Sequence, residues 1–248
     1  MDYKKTTEEY YSQWLGLDSI IQTNDKKVCF IHSCDRNTVL QGYSTPFDLW
    51  IWRQPHQTIV SYGDQAAPRI ELFKAALRPP ADEPIIKAAA AEVYGHTPLH
   101  LIKYVYQAAA IQPANAQQLS ASDYPQYLAF FKATNPACKD TGWLKDYFDK
   151  ITSLGLCFGV LKDGILVSCT DAPGMPYMSD RVQEIGIHTR NAYRQKGYAA
   201  DVCATCANEI IRRGKCPQWS TTIDNPASQK LAEKIGFRKL ADVFTVTL

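Results

Sequence analysis

Ala199, Val202, Cys203, Cys206, Ala207, Ile210 and Ile211 recur at steps of three and four residues, which marks one face of an α-helix. What flanks this stripe constrains the fold more than any other feature of the chain. Before it stands the β-rich run Val182–Thr189 (VQEIGIHT), then the basic turn Arg194-Gln195-Lys196-Gly197-Tyr198-Ala199. After it come Arg212 and Arg213, cations suited to a helix C-terminus, and Gly214 as the stop. A second β-rich run, Pro217–Ile223 (PQWSTTI), leads to Asn225-Pro226, an N-cap followed by a residue suited to the first helical position. Ala227, Leu231 and Ile235 give that second helix its apolar stripe, Gly236 closes it, and Val243–Leu248 reads as a last strand. The unit is therefore strand, turn, helix, strand, helix, strand.

Upstream, Tyr124–Ala133 and Trp143–Thr152 carry helical spacing, and Cys157–Leu161 and Ile165–Thr170 are apolar runs joined through Asp163-Gly164, a strong hairpin signal. Nearer the start, Val28–His32, Phe47–Trp52 and Thr58–Tyr62 read as strands, the last two paired through a turn at Pro55. Arg69–Leu77 and Pro84–Gln107 read as mostly helical, the latter broken by Gly95 and Pro98. Ala108–Asp123, rich in Ala, Gln and Ser, reads as a linker with a boundary near Pro113. The expectation is an α+β chain: a smaller N-terminal domain over 1–112 and a second domain over 113–248.

A net charge of +2 over 248 residues argues against a general nucleic-acid binder. The opening MDYKKTTEEYYSQW has no apolar signal-type core, and no run of roughly 18 apolar residues follows, so neither export nor a membrane span is expected. The reading is a cytoplasmic protein. The eight cysteines then read as thiols and not as a disulfide framework. Cys203 and Cys206 stand on the apolar helix face with no second pair at zinc spacing, and Pro98 interrupts His96 and His100, so no metal site is expected.

The basic turn explains itself as an anion site. A helix start offers free N–H groups and partial positive charge, Gly197 removes a β-carbon from the approach, and Arg194 and Lys196 add full charges. The ligand this implies is a phosphate ester; neither GxxxxGK[ST] nor GxGxxG is present. The plain alternative is a tight turn with solvated basic side chains.

Arg194–Ala199 resembles the R/Q-x-x-G-x-G/A motif of the GNAT superfamily of N-acetyltransferases. Asn225 through Gly236-Phe237 resembles that family's N-x-x-A/S-x-x-L-Y-x-x-x-G-F segment, and EIGIHT and PQW resemble a bacterial branch with an extra N-terminal region. The resemblance implies a GNAT fold, a mixed and mostly antiparallel sheet flanked by helices, and transfer of an acetyl group from acetyl-CoA to an amine. It implies that the amides of Gln195, Lys196, Gly197, Tyr198 and Ala199 hold the pyrophosphate, with Arg194 assisting. Main-chain groups of Ile187, His188 and Thr189 would pair with the pantetheine arm, and Asn225 and Ser228 would complete the cofactor contacts. Glu184 is the expected general base, since a carboxylate among apolar strands has a raised pKa, and His188 on the same strand face is the second candidate. Phe237 is expected in the core. The family's tyrosine acid is replaced by Ala232. That departure keeps open a non-catalytic acyl-CoA sensor, and a phosphate-binding module unrelated to CoA stands as a third reading. The N-terminal region, with Trp50, Trp52 and its tyrosines, reads equally as an acceptor wall, a degenerate sister domain or a homodimer surface.

Overall fold

The computed structural model describes residues 1–18, 27–41, 43–108 and 115–248. Its strands form two sheets, one of seven strands and one of four, and the elements that carry the site lie where these sheets part.

The chain starts with helix α1 (Tyr3–Leu15), capped by Asp2 and closed by Gly16 in the left-handed conformation. Strands β1 (Lys27–His32), β2 (Leu49–Gln54) and β3 (Gln57–Tyr62) follow, with β2 and β3 forming the expected hairpin. Helices α2 (Ile70–Ala76) and α3 (Glu83–Tyr94) precede β4 (Leu99–Tyr106). Alternation within β2 divides two cores. Leu49 and Ile51 pack with α2 and α3, whereas Trp50 and Trp52 point to the opposite face and pack beneath α1.

The stretch after Pro98 is a correction to the helical reading of Pro84–Gln107: the helix stops at Gly95, and LHLIKYVY is a strand. Its residues alternate, Ile102, Tyr104 and Tyr106 facing one core while Leu101 faces the α1 side. A buried position rich in β-branched and aromatic residues suits the pleat better than a helix. His100 lies in this strand, with Nε2 2.8 Å from Asp242 Oδ1 and Nδ1 3.3 Å from Glu83 Oε1.

The proposed boundary residue Pro113 lies outside the described residues. Beyond it, part of the expected linker pairs as β5 (Gln117–Gln118) against β6 (Phe158–Lys162). Helices α4 (Tyr124–Thr134) and α5 (Leu144–Ser153) precede the hairpin of β6 and β7 (Ile165–Asp171), whose Asp163 and Gly164 both have positive φ. β8 (Val182–Glu184), β9 (Gly186–Thr189), α6 (Tyr198–Arg212), β10 (Cys216–Thr222), α7 (Pro226–Lys234) and β11 (Phe237–Val246) complete the order.

The seven-stranded sheet runs β1-β3-β2-β11-β4-β10-β8, and the four-stranded sheet β5-β6-β7-β9. Pairing is antiparallel except for β1 with β3 and β10 with β8. β11 pairs on one side with β2 and on the other with β4, so strands from both sides of Pro113 share one sheet. α6 packs its apolar stripe against β6 and β7, with Val202, Cys203, Cys206 and Ile210 buried there, while α4 and α5 cover the other face of the same strands. Phe237 is buried in the α6 core, as expected. Among the described residues no helix is long and apolar enough to cross a membrane, and no group of His, Cys, Asp and Glu is arranged to hold a metal.

Candidate active site

The run Val182–Thr189, read from sequence as one strand, is two. β8 pairs parallel with β10 from Cys216↔Val182 to Gln218↔Glu184, and the Ile185 amide still donates to Gln218 O at 3.2 Å. One residue later the chain has changed sheets: β9 pairs antiparallel with β7, from Asp171↔Gly186 to Ser168↔Thr189. Among the described residues β9 is an edge strand, and Trp219–Thr222 of β10 pair with β4 alone. A cleft therefore opens between β9 and the second half of β10, along an edge of β9 that no strand occupies among the described residues. Unpaired edge amides and carbonyls seek partners, so this edge suits a ligand with its own amide groups. Ile187 and Thr189 turn their main-chain groups to it, whereas the Arg190 amide bonds Val167 O and, by the alternation of an antiparallel pair, the His188 main chain faces β7; the expected main-chain role of His188 therefore does not fit this edge.

At the far end of β9 the chain makes a tight turn over Asn191–Tyr193 and enters the basic segment. Arg194 is extended, Gln195 has φ of 60° and Gly197 has φ of 87°. Gly197 occupies the N-cap of α6 and, among the described residues, no side chain caps the helix, which leaves its first-turn amides without a side-chain partner there. A β-carbon at Gly197 would touch nothing within 4 Å; positive φ, and not crowding inside the chain, is what calls for glycine here. Arg194 to Gly197 are exposed. Arg194 Nε lies 3.4 Å from Thr189 O, and Lys196 Nζ stands 5.2 Å from the Tyr193 ring centre. Asn225 Oδ1 accepts from the Ser228 amide at 3.1 Å, the expected cap, and Ser228 Oγ accepts from Trp219 Nε1 at 3.2 Å. Tyr198 and Ala199 begin α6 as half-buried residues. These residues bring an uncapped helix start and two exposed cations together at one end of the cleft, a chemistry that fits a pyrophosphate.

At the other end stand the titratable groups. Ile185 and Ile187 pack toward the α6 core, while Val182 joins the α1 core on the opposite face, the face shared by Glu184, Gly186 and His188. Burial raises the Glu184 pKa; Lys103 pulls it down and Asp171 pushes it up. No hydrogen bond to its carboxylate occurs among the described residues. Around it are Tyr10, Tyr11 and Tyr43, whose own pKa values are raised by burial first and by the Glu184 charge besides. Lys103 Nζ donates to Ser220 Oγ at 2.8 Å and lies 5.2 Å from the Trp50 ring centre. Burial lowers its pKa to about 8 against the opposing pull of Glu184.

Asp171 was not anticipated from sequence. It ends β7 opposite Gly186, and its carboxylate occupies the space where a side chain at 186 would stand. Tyr147 Oη donates to Asp171 Oδ2 at 2.6 Å. Beyond lies a cavity of about 280 Å³ between α4, α5 and the β7–β9 pair, with Asp171 and the exposed His188 on its floor. Lys103 and Asp171 left little trace in sequence, although a lysine inside the alternating run LHLIKYVY is a usable signal. Ala232 is fully buried against α6 and takes no part in the cleft. Trp50 and Trp52 are fully buried within the chain, so their indoles do not form a subunit surface.

Comparison with known proteins adds the family. The model described as GNAT acetyltransferase matches residues 99–242. No curated protein matches the chain. Among solved structures, a GNAT-family acetyltransferase from Colwellia psychrerythraea is similar at 18% identity and a TM-score of 0.52, the match covering 60% of this chain and 56% of that one. A putative acetyltransferase of the same family from Novosphingobium aromaticivorans matches at 21% identity and a TM-score of 0.47, over 60% and 63% of the two chains. An N-acetyltransferase related to the same family from Sphaerobacter thermophilus matches at 15% identity and a TM-score of 0.49, over 64% and 55%. The chain thus spans little more than half of the first of these proteins.

Proposed function

Because this chain belongs to the GNAT acetyltransferase family, we propose that it is an N-acyltransferase that moves an acetyl group from acetyl-CoA to an amine by direct attack. The observation that carries the reading is the parting of β9 from β10 after Glu184, which makes one cleft between an open helix N-terminus and a pair of carboxylates.

Each end has a task. The amides of Gln195 to Ala199, aided by Arg194 and Lys196, hold the pyrophosphate; the free edge of β9, at Ile187 and Thr189 on either side of His188, receives the pantetheine, with Asn225 and Ser228 lining the opposite side. A thioester held there supplies the acyl group. Amides on this edge, directed at the thioester oxygen, would stabilise the developing oxyanion.

Glu184 acts as general base. Its ionised form takes one proton from the acceptor ammonium, directly or through one water, and leaves the nitrogen lone pair free to attack the carbonyl carbon. The N–C bond forms, the C–S bond breaks, and the second nitrogen proton is lost as the amide forms. Sulfur departs as the thiolate, and one proton returns to it from solvent. A thiol of pKa near 8.5 needs little help in leaving, so the mechanism does not depend on a tyrosine at position 232. His188, at the cavity floor, is the second base candidate.

The division of labour proposed here gives residues 113–248 the acyl-CoA machinery. Residues 1–112 supply Tyr10, Tyr11, Tyr43 and Lys103, the groups on which the Glu184 charge acts. All eight cysteines are free thiols, as suits a reducing cytoplasm where acyl-CoA is found.

The test is calorimetric titration with CoA combined with thiol release from acetyl-CoA across an amine panel. CoA binding and amine-dependent release support the enzyme. Binding without release from any amine leaves the sensor reading, and a folded protein that refuses CoA rejects both.

A further inference from the structure

The cavity between α4, α5 and the β7–β9 pair carries chemistry that the family assignment does not specify. Its walls are Tyr127, Phe130, Phe131, Trp143 and Tyr147, and its floor holds Asp171. Phe131 and Trp143 meet edge to face at 5.6 Å between ring centres, and Trp143 and Tyr147 at 5.8 Å, so the rings brace one another as a continuous wall. Trp143 is 47% exposed and stands at the mouth.

The polar side chains in the lining are mostly spoken for. Thr134 Oγ1 donates to Phe130 O and Phe131 O, and Asn135 Nδ2 to Phe131 O. Thr170 Oγ1 accepts from the Phe158 amide at 3.0 Å, and Trp143 Nε1 donates to Asp140 O at 3.2 Å. Among the described residues, no lysine or arginine lines the cavity. The charged group left for a ligand is the Asp171 carboxylate, held by the Tyr147 hydroxyl at 2.6 Å in the space left by Gly186; the His188 imidazole, the Tyr127 hydroxyl and the Asn135 side-chain oxygen are the neutral polar groups beside it.

A carboxylate in an aromatic-lined cavity suits one ligand class. An ammonium gains from the carboxylate and from the electron-rich ring faces, and its hydrocarbon body is taken out of water. An acid would face Asp171 with no cation to offset it. A polyhydroxylated amine would bury most of its hydroxyls against aromatic rings, which is costly.

Resting on the acyltransferase reading, we propose that the acceptor is a hydrophobic primary amine, an aryl-alkyl or alkyl ammonium, held in this cavity with its cation on Asp171 and its apolar body against the aromatic wall. Asp171 pairs with Gly186, two residues along the chain from Glu184, and its charge acts on the Glu184 carboxyl, so this end of the cavity is the end nearer the base.

The test has a binding arm and a turnover arm. 2-Phenylethylamine and hexylamine are titrated calorimetrically into the full chain, with and without CoA, and compared with glucosamine and glutamate. Saturable binding of the two hydrophobic amines, weakened at least tenfold by Asp171→Asn and by Trp143→Ala, is expected; equal or tighter binding of glucosamine or glutamate overturns the proposal. In thiol release from acetyl-CoA, kcat/KM for the hydrophobic amines is expected to exceed that for glucosamine at least tenfold. Asp171→Asn should raise the amine KM and leave the acetyl-CoA KM within twofold. If Trp143→Ala changes selectivity between acetyl-CoA and hexanoyl-CoA and not between amines, the cavity takes the acyl chain and the proposal falls. If acetyl-CoA itself does not bind, the acyltransferase reading falls, and the amine titration on CoA-free protein still decides what the cavity holds. Circular dichroism confirms that each variant is folded.

Discussion

A β-carbon placed on Gly186 would lie 1.7 Å from Asp171 Oδ1, so these two residues, paired across β7 and β9, cannot both keep their places unless position 186 is glycine. The backbone at 186 needs no left-handed conformation; only space is at issue.

Gly186→Ala should therefore turn the Asp171 carboxylate away from Tyr147. Overpacking of this kind costs about 1–3 kcal/mol, or a fall in Tm of roughly 2–4 °C for each kcal/mol in a chain of this size. Differential scanning calorimetry measures the cost. The amine KM should rise as in Asp171→Asn, while CoA affinity holds.

Gly197→Ala and Gly214→Ala form a matched pair. Both glycines have positive φ, 87° and 72°, and neither has a neighbour within 4 Å of the added methyl. Each variant should lose about 1 kcal/mol of stability to backbone strain. Only Gly197→Ala should weaken CoA binding, by about tenfold or more, because only there does the methyl enter the proposed phosphate cradle. Calorimetric titration separates the two, and equal affinities would remove the cradle from that turn.

Glu184→Gln should lower the transfer rate by about 10²–10⁴, the usual share of a general base, with CoA affinity unchanged. In the native protein the acidic limb of kcat/KM should lie above the ordinary glutamate range, since burial raises this carboxyl and the ionised form is the active one. Lys103→Met removes the one influence that lowers it and should move the limb to higher pH; Asp171→Asn removes one that raises it and should move the limb to lower pH. For stability, the folded chain binds this proton more tightly than the unfolded chain. The resulting contribution is full below the unfolded pKa and is lost as pH rises through the folded one. A pH series of rates and melting curves checks both signs.

Ala232→Tyr, which restores the tyrosine common in the family, should not increase the rate. Ala232 is fully buried against α6, and a phenol ring there overpacks the core at a cost of about 3 kcal/mol. A lower Tm without faster thiol release is the expected result. A faster enzyme would mean that α7 can turn this position into the cleft.

Local chemistry made much of this molecule legible. The α6 stripe, the Asp163-Gly164 hairpin and the Asn225 cap are each set by residues adjacent in sequence, and the structure has all three. Leu99–Tyr106 was misread because Gly95 and Pro98 look like interruptions of one helix, although its alternating burial is that of a strand between two neighbours. The break at Ile185 was not legible, because it arises from β8 and β9 joining different sheets and no residue there requires it locally. α1 went unread as a helix because its composition is polar overall; its buried side, with Tyr10, Tyr11 and Trp14, matters only once a sheet lies beneath it. Asp171 is inconspicuous in the sequence for a similar reason, since its surroundings depend on Gly186, which only the β7–β9 pairing brings opposite it.

The position of β11 between β2 and β4 has a consequence for how this chain is handled and how it matures. Cutting away the first ninety or so residues to isolate a minimal catalytic fragment would bare a long apolar edge on β11 and uncover Val243 and Phe244, a surface prone to aggregate. The same geometry means that β2 and β4, both in the first half of the chain, gain their shared neighbour only when β11 near its end is in place, a long-range closure that local segments cannot complete alone.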